Sequence, residues 1–129
     1  MPHLIVYAAE DDLAGREADL IGGLTDAVVA VYGDWARDIT EVLLIGLPAG
    51  RWGVGGRVST TGPAPRVVFG IRDSVFARPD AADVLGRLVA GVTAAVVGVV
   101  GERVRSGLAV EFAGTREGRT GVGGVLSGG

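Results

Sequence analysis

The chain has 129 residues, 48% of them hydrophobic, which is enough for one sizeable core and one compact unit. Twelve arginines stand against 15 acidic residues for a formal net charge of −3, without a basic run, and this argues against nucleic acid as a partner. No cysteine and a single histidine exclude disulfide frameworks and thiolate or histidine-rich metal sites, though not a carboxylate-only one, and the absence of lysine excludes a lysine Schiff base; no metal or cofactor is expected.

No charged segment followed by an apolar stretch and a cleavage site opens the chain, so a cytoplasmic protein is expected. His3 to Ala9 is a short β-branched and aromatic run that reads as a strand. From Leu13 to Tyr32, Ile21, Leu24, Val28 and Val31 recur at helical spacing, while Arg16, Glu17, Asp19 and Asp26 supply polar positions. Thr40 to Leu47 is the next strand and leads through a glycine-rich turn into a short hairpin. Arg66 to Arg72 reads as a strand again. Arg78-Pro79-Asp80 suits a helix start with proline in the first turn, and Leu85, Leu88, Val92, Ala95 and Val99 continue that helix. The valines from Val96 to Val100 have strand propensity, but their place in the helical pattern outweighs it. The longest uncharged apolar stretch, Leu88 to Gly101, is about 14 residues against the roughly 20 that span a bilayer, so it is a core helix and no membrane is expected. Leu108 to Gly114 is the last long strand, and a second hairpin follows it.

The chain repeats itself. Arg51-Trp52-Gly53-Val54-Gly55-Gly56-Arg57-Val58-Ser59 returns as Arg119-Thr120-Gly121-Val122-Gly123-Gly124-Val125-Leu126-Ser127, with six of nine positions identical. Upstream, the segment from Ala18 to Leu24 aligns with Ala82 to Leu88, at a spacing four residues shorter than that of the hairpins. The extra residues of the second copy are placed most simply at the end of its helix. Residues 1–62 and 63–129 are thus two copies of one supersecondary unit within a single domain. In this alignment Arg66 stands opposite Pro2, so the second copy has no proline equivalent.

Each copy is strand, helix, strand, hairpin, and a helix joining two strands of one sheet places them parallel. The expected fold is α+β or α/β: two tandem β-α-β units forming a four-stranded mixed sheet, with two helices on one face and short hairpins. Leu4, Val6, Leu44, Val67, Phe69 and Val110 are too apolar for the sheet's second face to meet water, and few residues remain to cover it. Oligomerisation with the hairpins as arms is the expected answer.

A proline after Met1 on the first strand, a β-α-β unit, and the hairpin Gly50-Arg51-Trp52-Gly53-Val54-Gly55-Gly56 together resemble the tautomerase superfamily. The repeat makes the chain similar to the fused members, typified by cis-3-chloroacrylic acid dehalogenase and malonate semialdehyde decarboxylase, which are trimers. Leu24-Thr25-Asp26-Ala27 and Leu47-Pro48-Ala49-Gly50 resemble the dehalogenase branch most. The resemblance spans nearly the whole chain, most strongly residues 2 to 58.

What the resemblance implies is a homotrimer acting on a small molecule with an N-terminal proline, Pro2 after removal of Met1, as general base or acid. Arg72 and Arg78, flanking the start of the second helix, would bind a substrate carboxylate. Arg51 and Trp52 fall on the family's hairpin, and Glu111 falls where the dehalogenase carries a tyrosine. Each also has an ordinary reading: a solvated cation for Arg72 or Arg78, packing for Trp52, an outward strand residue for Glu111. His3 is adjacent to Pro2, but strand alternation points it to the opposite face. Gly53-Val54-Gly55-Gly56 is no phosphate loop, since neither a helix nor Lys-Ser/Thr follows.

Departures narrow the reading. Asp12 and Glu41 stand where the short tautomerases carry arginines, and Glu10, Asp11 and Asp12 would repel a dicarboxylate if they faced the pocket. The dehalogenase's water-activating His and Glu fall near Val28 and Gly121, which disfavours hydrolytic dehalogenation. The expected activity is a Pro2-dependent tautomerase or isomerase of a small keto or enol acid. Alternatives are a lyase decarboxylating a 3-oxo acid, an isomerase of specialised metabolism, and a non-catalytic binding protein with the same fold.

Overall fold

The computed structural model describes residues 2–127. Element order is β1 (His3–Ala9), α1 (Glu10–Leu13), α2 (Glu17–Tyr32), a 3-10 turn (Asp34–Ile39), β2 (Glu41–Leu47), and a hairpin of β3 (Gly53–Val54) and β4 (Arg57–Val58). There follow β5 (Arg66–Arg72), a 3-10 turn (Asp73–Ala77), α3 (Ala81–Val100), a third 3-10 turn (Glu102–Gly107), β6 (Ala109–Thr115), and a hairpin of β7 (Thr120–Val122) and β8 (Val125–Ser127). The sheet is mixed and four-stranded, in the order β2-β1-β5-β6, with β1 parallel to β2, β5 parallel to β6, and β1 antiparallel to β5.

The first helix is shorter than its periodicity suggests. Gly15, at φ 79°, turns the chain between α1 and α2. α3 starts at Ala81, so Pro79 lies ahead of the first turn rather than in it. Both long helices end at a glycine, Gly33 and Gly101, whose N–H closes the last turn on Val29 and Val97.

Leu4, Val6, Ala8, Val67, Phe69 and Ile71 project from the sheet onto Leu20, Leu24 and Val28 of α2 and Val84, Leu88, Val92 and Val96 of α3, all of them buried. α3 is long and apolar enough to cross a bilayer by length and composition alone, but its valine and leucine stripe is spent on this core. The helices cross at small residues used reciprocally: a Cβ on Gly23 would stand 3.7 Å from Ala95, and one on Gly91 would stand 3.5 Å from Ala27. From that crossing to Gly33 and Gly101 the helices match residue for residue. The extra turn of α3, 20 residues against 16, therefore sits at its N-terminal end, where the sequence alignment put it at the other.

The pairing also corrects the alignment of the strands. The Glu41 N–H donates to the carbonyl of Pro2 and the Ala109 N–H to the carbonyl of Pro65, so the counterpart of Pro2 is Pro65 rather than Arg66. The hairpins match in the same way, since Gly55-Gly56 and Gly123-Gly124 all have positive φ between 60° and 82°. Two consecutive residues of that kind form the two-residue turn whose twist suits a hairpin.

The uncovered face of the sheet is not made of the residues the sequence suggests. Leu4, Val6, Val67 and Phe69 point at the helices, and Leu44 and Val110 pack half-buried beside them. Facing away are Ile5, Tyr7, Leu43, Ile45 and Val68, and Tyr7, Leu43 and Ile45 are 36–46% exposed. Side chains alternate across a strand, so the neighbouring positions carry the open surface. His3 lies on that face too, its ring over Gly70, where a Cβ would collide with the imidazole.

Candidate active site

Antiparallel pairing of His3 with Gly70 sets the start of β1 beside the end of β5. Three segments distant in sequence meet there and line a cavity of about 290 Å³: Pro2; Tyr32, Trp35 and Ile39 after α2; and Ile71, Arg72, Val75 and Arg78 around the end of β5. Pro2 is buried. Its carbonyl is held by the Glu41 N–H at 3.3 Å, which fixes the ring at the mouth of the sheet while leaving its nitrogen uncommitted to the ladder.

The two arginines differ. Arg78 binds Asp80 in a fork, Nε to Oδ1 at 2.8 Å and Nη2 to Oδ2 at 2.9 Å, which raises the guanidinium's pKa and lowers that of the carboxyl. Arg72 ends β5 exposed, and its guanidinium has no ion-pair or hydrogen-bond partner among the described residues. It is the cation free to take a ligand's carboxylate, for which a guanidinium offers a matching pair of donors.

Tyr32 and Trp35 were not singled out by the sequence. Tyr32 closes α2, and the Trp35 indole N–H donates to its carbonyl at 2.6 Å, with the rings tilted 50° at 6.0 Å. Burial pushes the Tyr32 hydroxyl's pKa up, opposed in part by the charge of Arg78. The signal available was the Tyr-Gly-Asp-Trp run at the helix end, where a glycine stop holds two aromatic side chains at the edge of the sheet.

Trp52 and Glu111 are not brought to Pro2 within one chain. With Tyr7, Leu47, Pro63, Ala64, Arg66 and Val68 they line a separate cavity of about 300 Å³ on the open face, where Arg66 Nε approaches Glu111 Oε1 at 3.6 Å. Tyr7 lies five residues along β1 from Pro2, roughly 17 Å at the usual rise per residue. Arg51 is exposed just ahead of the β3–β4 hairpin, beside Trp52.

The place related to the Pro2 cavity by the internal repeat is built differently. Pro65 is fully buried with its nitrogen in a mid-chain amide, and Asp12, only 7% exposed, is paired with Arg103. That pair neutralises Asp12, and Glu10, Asp11 and Asp12 follow the far end of β1, away from Pro2. No group of three or more His, Asp or Glu side chains placed to hold a metal occurs among the described residues.

The fold and cavity define a class: two tandem β-α-β units on one mixed sheet, with a proline at the start of the first strand. Comparison with solved structures gives the same class. A wild-type fused 4-OT designated F6, an asymmetric trimer, is 26% identical over 96% of this chain and 94% of its own, with a TM-score of 0.77. A native fused 4-OT is 25% identical over the same shares, also at 0.77. N1, a member of the cis-3-chloroacrylic acid dehalogenase (cis-CaaD) family, is 17% identical over 97% of this chain and 82% of its own, at 0.67, a likeness of fold. No protein-family model matches the chain, and no curated protein matches it. These likenesses place the chain in the tautomerase superfamily, with its fused double β-α-β members.

Proposed function

We propose that the chain is a tautomerase or isomerase of a small 2-oxo acid or its enol, with Pro2, freed by removal of Met1, as the acid–base group. Met1 itself lies outside the described residues. One observation carries the reading: Pro2 shares a cavity with two guanidinium groups and a largely apolar wall. Burial and two nearby cations both disfavour the ammonium form of a proline nitrogen, so the neutral amine is populated near neutral pH. That amine takes the proton from the carbon next to the carbonyl. The C–H electron pair becomes the new carbon–carbon double bond, and the carbonyl π pair moves onto oxygen; return of the proton elsewhere completes the isomerisation. Arg72 holds the carboxylate throughout.

The test is proton NMR in deuterated water with an enol 2-oxo acid such as phenylenolpyruvate. The protein is expected to speed ketonisation above buffer. Arg72→Ala should lower kcat/KM about 10- to 100-fold, the worth of a charge-assisted hydrogen bond. Arg78→Ala should cost less, because Asp80 already occupies that fork. A wild type no faster than buffer, or an Arg72→Ala variant with unchanged kinetics, overturns the proposal.

The reading includes a homotrimer. It is supported by the exposed Tyr7, Leu43 and Ile45 on the open face and by the hairpin residues Val54, Val58, Val122, Val125 and Leu126, each 65–69% exposed. Fused 4-OT neighbours are described as trimers. Roles for Arg51, Trp52 and Glu111 in substrate binding belong to this assembly, in which a hairpin reaches a neighbouring chain's cavity. Light scattering at micromolar concentration should give three chain masses; a stable monomer contradicts the assembly.

A further inference from the structure

We infer that Tyr32 is a catalytic residue of the Pro2 cavity, its hydroxyl donating the hydrogen bond that holds the substrate's 2-oxo oxygen as that oxygen becomes an enolate. The inference rests on the reading of Pro2 as the base and deepens it. Among the lining residues, Ile39, Ile71 and Val75 have no polar side-chain atom. The Trp35 indole N–H is already spent on the carbonyl of Tyr32, and Arg78 commits Nε and Nη2 to Asp80. Arg72 is required by the carboxylate. The Tyr32 hydroxyl remains: it makes no side-chain hydrogen bond among the described residues, and since no buried polar side-chain atom there is left unpaired, it is open to the cavity that Tyr32 lines.

Its position is fixed rather than incidental. Tyr32 is the last residue of α2, Gly33 stops the helix behind it, and Trp35 holds it through its carbonyl and its ring. The counterpart at the end of α3 is Val100, followed by Gly101. A phenol thus stands only in the half of the chain that carries the free proline. The group must remain protonated to donate, and burial raises its pKa, so the proton stays on the phenol at neutral pH. No proton leaves Tyr32 in the step; the developing charge on oxygen is met by a donor fixed beforehand, which is where such donors gain most.

Tyr32→Phe keeps the ring, the backbone bond from Trp35 and the apolar wall. It should lower kcat about 10²-fold, the usual worth of one donor to a developing oxyanion, while KM moves less than about threefold. As a readout independent of that variant's folding, replacing Tyr32 alone by fluorotyrosine, a stronger acid, should move the alkaline loss of rate to lower pH. Unchanged kcat in Tyr32→Phe, a change in KM alone, or an alkaline limb that fluorotyrosine does not move overturns the role of Tyr32. If any of these appears while Arg72→Ala is slowed as expected, the Pro2 reading stands without Tyr32. A wild type inert toward the enol removes both.

Discussion

A chain that keeps Met1 is expected to catalyse ketonisation about 10²- to 10⁴-fold more slowly than one that begins at Pro2, the usual contribution of a general acid–base group. With Met1 attached, the Pro2 nitrogen is a tertiary amide whose lone pair is delocalised into the carbonyl, and it has no proton to give or accept near neutral pH. The cavity, both arginines and Tyr32 are otherwise the same, so binding should survive and kcat should carry the loss. Intact-mass spectrometry sorts the two forms, and their rates are compared on one substrate. Equal rates would remove the amine from the mechanism. The buried counterpart at Pro65 is a built-in comparison: the same residue at the same place in the fold, with its nitrogen permanently an amide.

Phe69→Ala is expected to destabilise the fold by about 3–5 kcal/mol, the range for emptying a buried aromatic site. Phe69 is fully buried on β5, its ring centroid 5.6 Å from that of Phe112, and its strand partner across β1 is Leu4. It sits where the two halves join. Since whole domains are stable by only about 5–15 kcal/mol, the denaturant midpoint should fall markedly. A loss under about 1 kcal/mol would mean that the sheet repacks around the site.

The strands and helices were legible because each carries its own period, and His3–Ala9 and Arg66–Arg72 come out with the ends the sequence suggests. Less legible was which way a strand faces. Leu4 and Ile5, or Val67 and Val68, are equally apolar, and only the helices above the sheet decide which of each pair is buried. The repeat is visible in the hairpins, whose glycines fix the turn, but a strand as short as β1 leaves the alignment free to slip by one residue, which sets Arg66 rather than Pro65 opposite Pro2.

The cavity shows the same division. Pro2, Arg72 and Arg78 could be named from family likeness, but their meeting depends on the antiparallel pairing of β1 with β5, which no local pattern states. Tyr32 and Trp35 enter through the helix stop at Gly33, a tertiary consequence of a local signal. Trp52 and Glu111 do meet one another, though at a different place from Pro2, because the hairpin and the start of β6 lie by the other end of β1.

A Pro2 that carries a free amine whose proton does the chemistry is seen most directly in the titration of that nitrogen by ¹⁵N NMR in protein labelled at proline. One proline nitrogen should titrate between about pH 6 and 9, the range an α-amino group reaches under modest desolvation, with kcat/KM rising through the same pKa as the neutral base forms. An active protein whose proline nitrogens are all amides without titration, or whose rate is indifferent to the pKa observed, would contradict it.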